Sequence, residues 1–166
     1  MAVAGGERQA ALLRDLLART GRGEWRVLPL SRAAGPLAVA SLGELDWPGL
    51  GRAVREDRIA LAVLDLDAPL SRYWLEAGLT PCLTYSENKD RADLTAKNLV
   101  PLPGGGVRFE ALWRDALCRV TLAPGSCSLY QALEVMACAR AAGVEPAQSA
   151  AYLSALPAGR PVTICG

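Results

Sequence analysis

Residues Ile59 to Leu66 form a near-continuous apolar run that breaks into Asp65-Leu66-Asp67-Ala68-Pro69. A run of this length, without polar alternation, has no side to leave in water. It therefore demands burial on both faces, as strands of parallel sheets in α/β proteins are buried. Its carboxyl end carries the polar groups, and that is the end at which open α/β sheets place their ligand sites.

The flanking sequence supplies the rest of such a sheet. Glu7 to Arg19 places Ala11, Leu12, Leu13, Leu16 and Leu17 at helical spacing, and Gly21 offers a C-cap. Short strands are expected at Trp25–Leu30 and Leu37–Ala40, and a helix at 46–57. After Pro69, a helix is expected over Leu70–Ala77 with Gly78 as its stop, and then a strand at Pro81–Tyr85. Two strands around one helix make a parallel βαβ unit the default. Residues Ala92 to Pro101 lead to a Gly104-Gly105-Gly106 turn. Val107–Leu112 and Leu117–Leu122 around Trp113-Arg114-Asp115 read as a hairpin that extends the sheet with antiparallel strands. Helices follow at Ser128–Ala142, stopped by Gly143, and at Pro146–Leu156, before a tail or final strand from Pro157 to Gly166. The expected class is α/β, a mostly parallel sheet flanked by helices with an antiparallel hairpin extension. At 166 residues, a single domain over 1–166 is expected.

Composition removes several kinds of chemistry. The chain has no histidine, which excludes a histidine general base, a Ser-His-Asp triad and any zinc site that needs histidine. Its 18 basic and 17 acidic residues give a net charge of +1 and are dispersed, so no electrostatic footprint for nucleic acid is present. Cys82, Cys118, Cys127, Cys138 and Cys165 are odd in number and contain no Cys-x-x-Cys pair, which favours free thiols in a reducing compartment. No apolar stretch is long enough for a membrane span and the N-terminus lacks a secretory pattern, so a cytoplasmic protein without membrane insertion is expected. With aromatics at 5% and apolar residues at 51%, the core must be built mainly from Ala, Leu and Val.

Three clusters have the residue types for ligand contact. Gly5-Gly6 precedes the first helix, and backbone N–H groups at a helix N-terminus bind phosphate. A working P-loop also needs a lysine for the β/γ-phosphates and a hydroxyl for magnesium. Gly6 is followed instead by Glu7-Arg8-Gln9, which leaves a plain strand-to-helix turn or a residual anion site using Arg8. The Asp65/Asp67 pair has a spacing that on a strand would point both carboxylates to one face. That could hold magnesium, but capping of the following helix is the favoured reading. Ser128 and Gln131, three apart at a helix start, can contact a ligand or simply cap the helix.

In order along the chain, these clusters resemble the central ATP-binding domain of the Mur ligases, the ATP-dependent enzymes that build the peptidoglycan stem peptide. Ala2-Val3-Ala4-Gly5-Gly6-Glu7-Arg8 resembles that family's phosphate loop without its lysine and threonine. Asp65-Leu66-Asp67-Ala68-Pro69 is similar to Asn-x-Asp-Asp-Pro, departing at Asp65 and Ala68. Cys82-Leu83-Thr84-Tyr85-Ser86 and Asp93-Leu94-Thr95-Ala96-Lys97-Asn98-Leu99 follow in the family's order. Gly125 to Leu133 resembles Gly-x-His-Asn-x-x-Asn-Ala-Leu, with Ser128 and Gln131 at the two asparagines, and Gly159-Arg160 resembles a closing Gly-Arg. The likeness is firmest from Leu61 to Leu156.

The resemblance implies nucleotide contacts at Gly5, Gly6, Arg8, Ser128, Gln131 and Arg160. It also shows what is missing: residues 20–58 are too few for the segment with the catalytic glutamate, and the N-terminal and C-terminal ligase domains are expected to be absent. The implied protein is a reduced, catalytically incompetent member of the family with no catalytic residue and no metal site. It would be a bacterial binding or regulatory module with a protein partner in cell-wall synthesis. No cofactor is expected, ATP and magnesium entering only if the degenerate site is still competent. The alternatives are one subunit of a split ATP-dependent ligase, or an unrelated α/β interaction domain.

Overall fold

The computed structural model describes residues 2–5, 7–29, 35–41, 59–69, 71–78 and 81–159. The expected helix at 46–57, the candidate positions Gly6 and Arg160, and the tail beyond residue 159 lie outside them. Among the described residues, eight strands make one sheet in the order β2-β1-β3-β4-β5-β6-β7-β8. These are β1 (Ala2–Gly5), β2 (Arg26–Pro29), β3 (Leu37–Ser41), β4 (Ile59–Asp65), β5 (Cys82–Ser86), β6 (Leu94–Leu102), β7 (Gly106–Trp113) and β8 (Leu117–Leu122). Strands β1 to β6 pair in parallel, and β6-β7-β8 are antiparallel. The helices are α1 (Glu7–Arg19), α2 (Ser71–Ala77), α3 (Leu129–Ala141) and α4 (Pro146–Ser154).

The apolar run is strand β4, in the middle of the sheet, with Ala62, Val63 and Leu64 at 0–1% exposure. Strand alternation sends Val39, Val63, Tyr85, Leu94, Phe109 and Val120 into one core with α1 and α3. Helix α3 is buried nearly all round, from Ala132 through Ala139. Its small residues let it lie close between α1 and the sheet, which an amphipathic stripe would not permit.

The antiparallel extension is larger than a single hairpin. Residues 94–102 form a strand in their own right, joined in parallel to β5 and in antiparallel to β7. The β6-β7 register shifts between Lys97 and Val100, where Asn98 has a φ of 52°. Asparagine tolerates that left-handed backbone, and such a bulge lets the strand change from buried residues to a solvated end. Among the described residues, no helix is long and apolar enough to cross a membrane.

Candidate functional site

The strand order 2-1-3 reverses the order of connection between β1 and β3, and the crevice above their carboxyl ends is where folds of this class accept ligands. Three side chains meet there. Ser41 closes β3, Gln9 sits in the first turn of α1, and Glu134 reaches over from α3. Gln9 Nε2 donates to Glu134 Oε2 at 2.9 Å, and Ser41 Oγ donates to Glu134 Oε1. All three are buried, Glu134 at 4% exposure. The crevice therefore already holds a protein carboxyl group beside the start of α1. Burial, with Glu134 next to it, pushes the Cys138 thiol well above its ordinary value, so this cysteine stays protonated and inert. Cys82, Cys118, Cys127 and Cys138 form no disulfide with one another.

Arg8, expected to meet an anion, is engaged with the protein itself. Its Nη2 donates to the carbonyl oxygens of Ser126 at 2.6 Å and Gly125 at 3.1 Å. The same turn receives the end of the described chain, where Gly159 N donates to Pro124 O at 2.8 Å. Gly125, with a φ of 68°, and Gly159 touch backbone to backbone, so Gly159 leaves no space for a Cβ and Gly125 leaves a tight one. Ser128 and Gln131 form a reciprocal capping box: Gln131 N donates to Ser128 Oγ at 3.2 Å, and Ser128 N donates to Gln131 Oε1 at 3.0 Å. Fold thus brings Arg8, the 124–126 turn and Gly159 together, next to the capped start of α3. Gly5 ends β1, a few positions before Arg8 in sequence.

The aspartate pair corrects the expectation of a helix cap. Strand β4 ends at Asp65, so Asp67 is in the turn beyond it and the two carboxylates do not share a strand face. Asp65 Oδ1 accepts from Asp67 N at 2.8 Å, a local turn lock. The helix start is held instead by Ser71, whose hydroxyl donates to Asp65 O. Asp67 reaches across to the end of β5. It accepts from Ser86 Oγ at 2.8 and 2.9 Å and from Glu87 N at 2.8 Å, with the Tyr130 hydroxyl of α3 at 3.5 Å. Ser86 Oγ in turn accepts from Asn88 N and Lys89 N, and Lys89 Nζ donates to Leu66 O. A single carboxylate thus ties the end of β4 to the end of β5.

Electrostatics follow from this crowding. Burial pushes the Asp65 carboxyl above its ordinary value, and the neighbouring Asp67 charge adds to the rise. Tyr130 is pushed up by burial and by Glu87, Asp67 and Asp65, so its phenol remains a donor at neutral pH. No group of three or more carboxylate or thiol side chains suited to a metal occurs among the described residues.

Ser86, Lys89, Tyr130 and Glu134 were not singled out from sequence. Glu134 had a visible signal, being the one charge inside the apolar stretch Leu129–Ala139. Ser86 and Lys89 became linked to the end of β4 only by its pairing with β5, and Tyr130 only by the tertiary approach of α3.

The mostly parallel sheet with its flanking helices and antiparallel extension matches the fold of the Mur ligase central domain. Similar solved structures include a UDP-N-acetylmuramoyl-L-alanyl-D-glutamate–2,6-diaminopimelate ligase (TM-score 0.75, 13% identity), matched over 96% of this chain and 46% of that one. MurF from Acinetobacter baumannii matches with a TM-score of 0.68 at 18% identity, over 96% of this chain and 46% of that one. The UDP-N-acetylmuramate:L-alanyl-gamma-D-glutamyl-meso-diaminopimelate ligase of Neisseria meningitides matches with 0.65 at 16%, over 96% and 66%. At these identities the likeness is one of fold, and the chain spans less than half the length of the first two. No protein-family model and no curated protein matches the sequence.

Proposed function

We propose that this protein is a Mur-ligase-like module that does not hydrolyse ATP and acts by binding, as a regulatory or scaffolding component of peptidoglycan synthesis. The observation that carries the reading is the buried Glu134 carboxyl group held by Gln9 and Ser41 in the switch-point crevice. A phosphate entering there would meet an acidic side chain instead of the lysine and hydroxyl that stabilise a transferring phosphoryl group. Two further facts support it. The Arg8 guanidinium is spent on the carbonyls of Gly125 and Ser126, and the Ser128 and Gln131 side chains are spent on each other's backbone. The link to the cell wall rests on the fold shared with ligases of UDP-N-acetylmuramoyl peptides, and a protein partner in that process is part of the proposal.

The test is calorimetric titration of the purified protein with ATP and with a UDP-muramyl peptide, each with and without magnesium, alongside an ATPase assay. The expected result is no turnover above buffer and no magnesium-dependent ATP binding. Binding of the UDP-muramyl peptide would make the module a precursor sensor. ATP turnover that disappears when Arg8 is replaced would overturn the non-hydrolytic reading.

A further inference from the structure

On the sheet face opposite α1 and α3, a groove of about 680 Å³ runs between α2 and the β7-β8 turn. Leu66, Leu75, Cys82 and Thr84 line it. Three exposed arginines from three separate elements surround it: Arg72 on α2, Arg91 in the β5-β6 connection and Arg114 in the β7-β8 turn. Arg72 is paired with Glu76 at 2.7 Å and Arg114 with Asp93 at 2.9 Å. Arg91 has no ion pair among the described residues. Among the described residues, the groove thus carries three guanidinium groups against two carboxylates.

Exposed leucines stand both in the groove and outside its lining. Leu75 is 38% exposed, and the cross-strand pair Leu112 and Leu117 is 40% and 59% exposed. Strand alternation puts Leu112, between the core-facing Ala111 and Trp113, on the same sheet face as Thr84, which precedes core-facing Tyr85. A surface combining exposed leucines with guanidinium groups recognises carboxylates through charge-assisted, often bidentate, hydrogen bonds and apolar side chains through burial. Its extension along the face beyond the groove itself suits a chain of residues better than a compact small anion. The side-chain demands are acidic and apolar together, which a peptide meets.

We infer that this groove is a docking site for an acidic, leucine-containing peptide segment of a partner protein. It lies on the face opposite the Glu134 crevice and does not depend on what that crevice binds. The test uses fluorescence anisotropy with a labelled short peptide of glutamate and leucine, a lysine–leucine peptide as control, and inorganic phosphate as competitor. The acidic peptide should bind and the basic one should not. Arg91→Glu, at an exposed position outside any ion pair among the described residues, should weaken binding about tenfold or more while leaving the circular dichroism spectrum unchanged. Leu112→Ser with Leu117→Ser should also weaken it. Equal binding of both peptides, or unchanged affinity in Arg91→Glu, would overturn the inference. So would complete displacement by phosphate at equal strength in the leucine variants, which would mark a small-anion site. Self-association abolished by Leu117→Glu in the absence of peptide would assign the face to a second copy and equally overturn it.

Discussion

Replacing Asp67 with alanine removes the acceptor on which the β4 and β5 crest converges. Two donors are lost from it, the Ser86 hydroxyl at 2.8 and 2.9 Å and the Glu87 amide at 2.8 Å, whereas the Tyr130 hydroxyl at 3.5 Å is too distant to add much. Hydrogen bonds to a charged acceptor contribute about 1.5–3 kcal/mol each, and partial exposure of Asp67 puts these at the lower end. The expected loss is about 3 kcal/mol, made worse because Ser86 is fully buried and has no water to turn to. For a chain of this size, that corresponds to a fall in Tm of about 6–12 °C. Asp67→Asn keeps an acceptor oxygen for the amide and should lose about 1 kcal/mol. Urea unfolding followed by tryptophan fluorescence measures both, because Trp74 and Trp113 are buried. A double-mutant cycle with Ser86→Ala should give a coupling of about 1–2 kcal/mol. An Asp67→Ala protein within about 0.5 kcal/mol of the wild type, or a vanishing coupling, would refute the idea that this carboxylate organises the crest.

Asp65→Asn should raise stability at pH 7. Burial raises the folded-state pKa of Asp65 above 3.8, so its charged form costs stability at neutral pH, and that cost is relieved as pH falls through the raised value toward 3.8. The gain of the Asn variant should therefore shrink over that interval in urea titrations, and a gain growing toward acid would contradict the assignment. Ser128→Ala should cost about 1 kcal/mol of unfolding free energy through loss of the α3 cap; a neutral effect would mean that its bond to Gln131 N carries no weight. At Gly159, any Cβ would collide with the Gly125 carbonyl oxygen, so Gly159→Ala should free the segment after α4. Faster amide hydrogen exchange at residues 156–159, with α3 unchanged, is the expected reading.

The local elements were legible because their causes are local. Helix α1 was bounded at Glu7 and Arg19 from the spacing of its leucines, α3 was marked by its Ser128 start and Gly143 stop, and β4 by its unbroken apolar run. The absence of histidine, and of a lysine after Gly6, is likewise read without reference to any contact. Strand β6 was harder, because buried Leu94–Ala96 and exposed Asn98–Pro101 belong to one element whose period changes at a bulge. What the carboxylates do was not a sequence property at all. Asp67 answers to Ser86, 19 positions away, Arg8 to Ser126 at 118, and Glu134 to Gln9 at 125. Hydrogen bonding selects the nearest unsatisfied partner in space, and only the packing of α1 and α3 onto the parallel sheet determined which groups those would be.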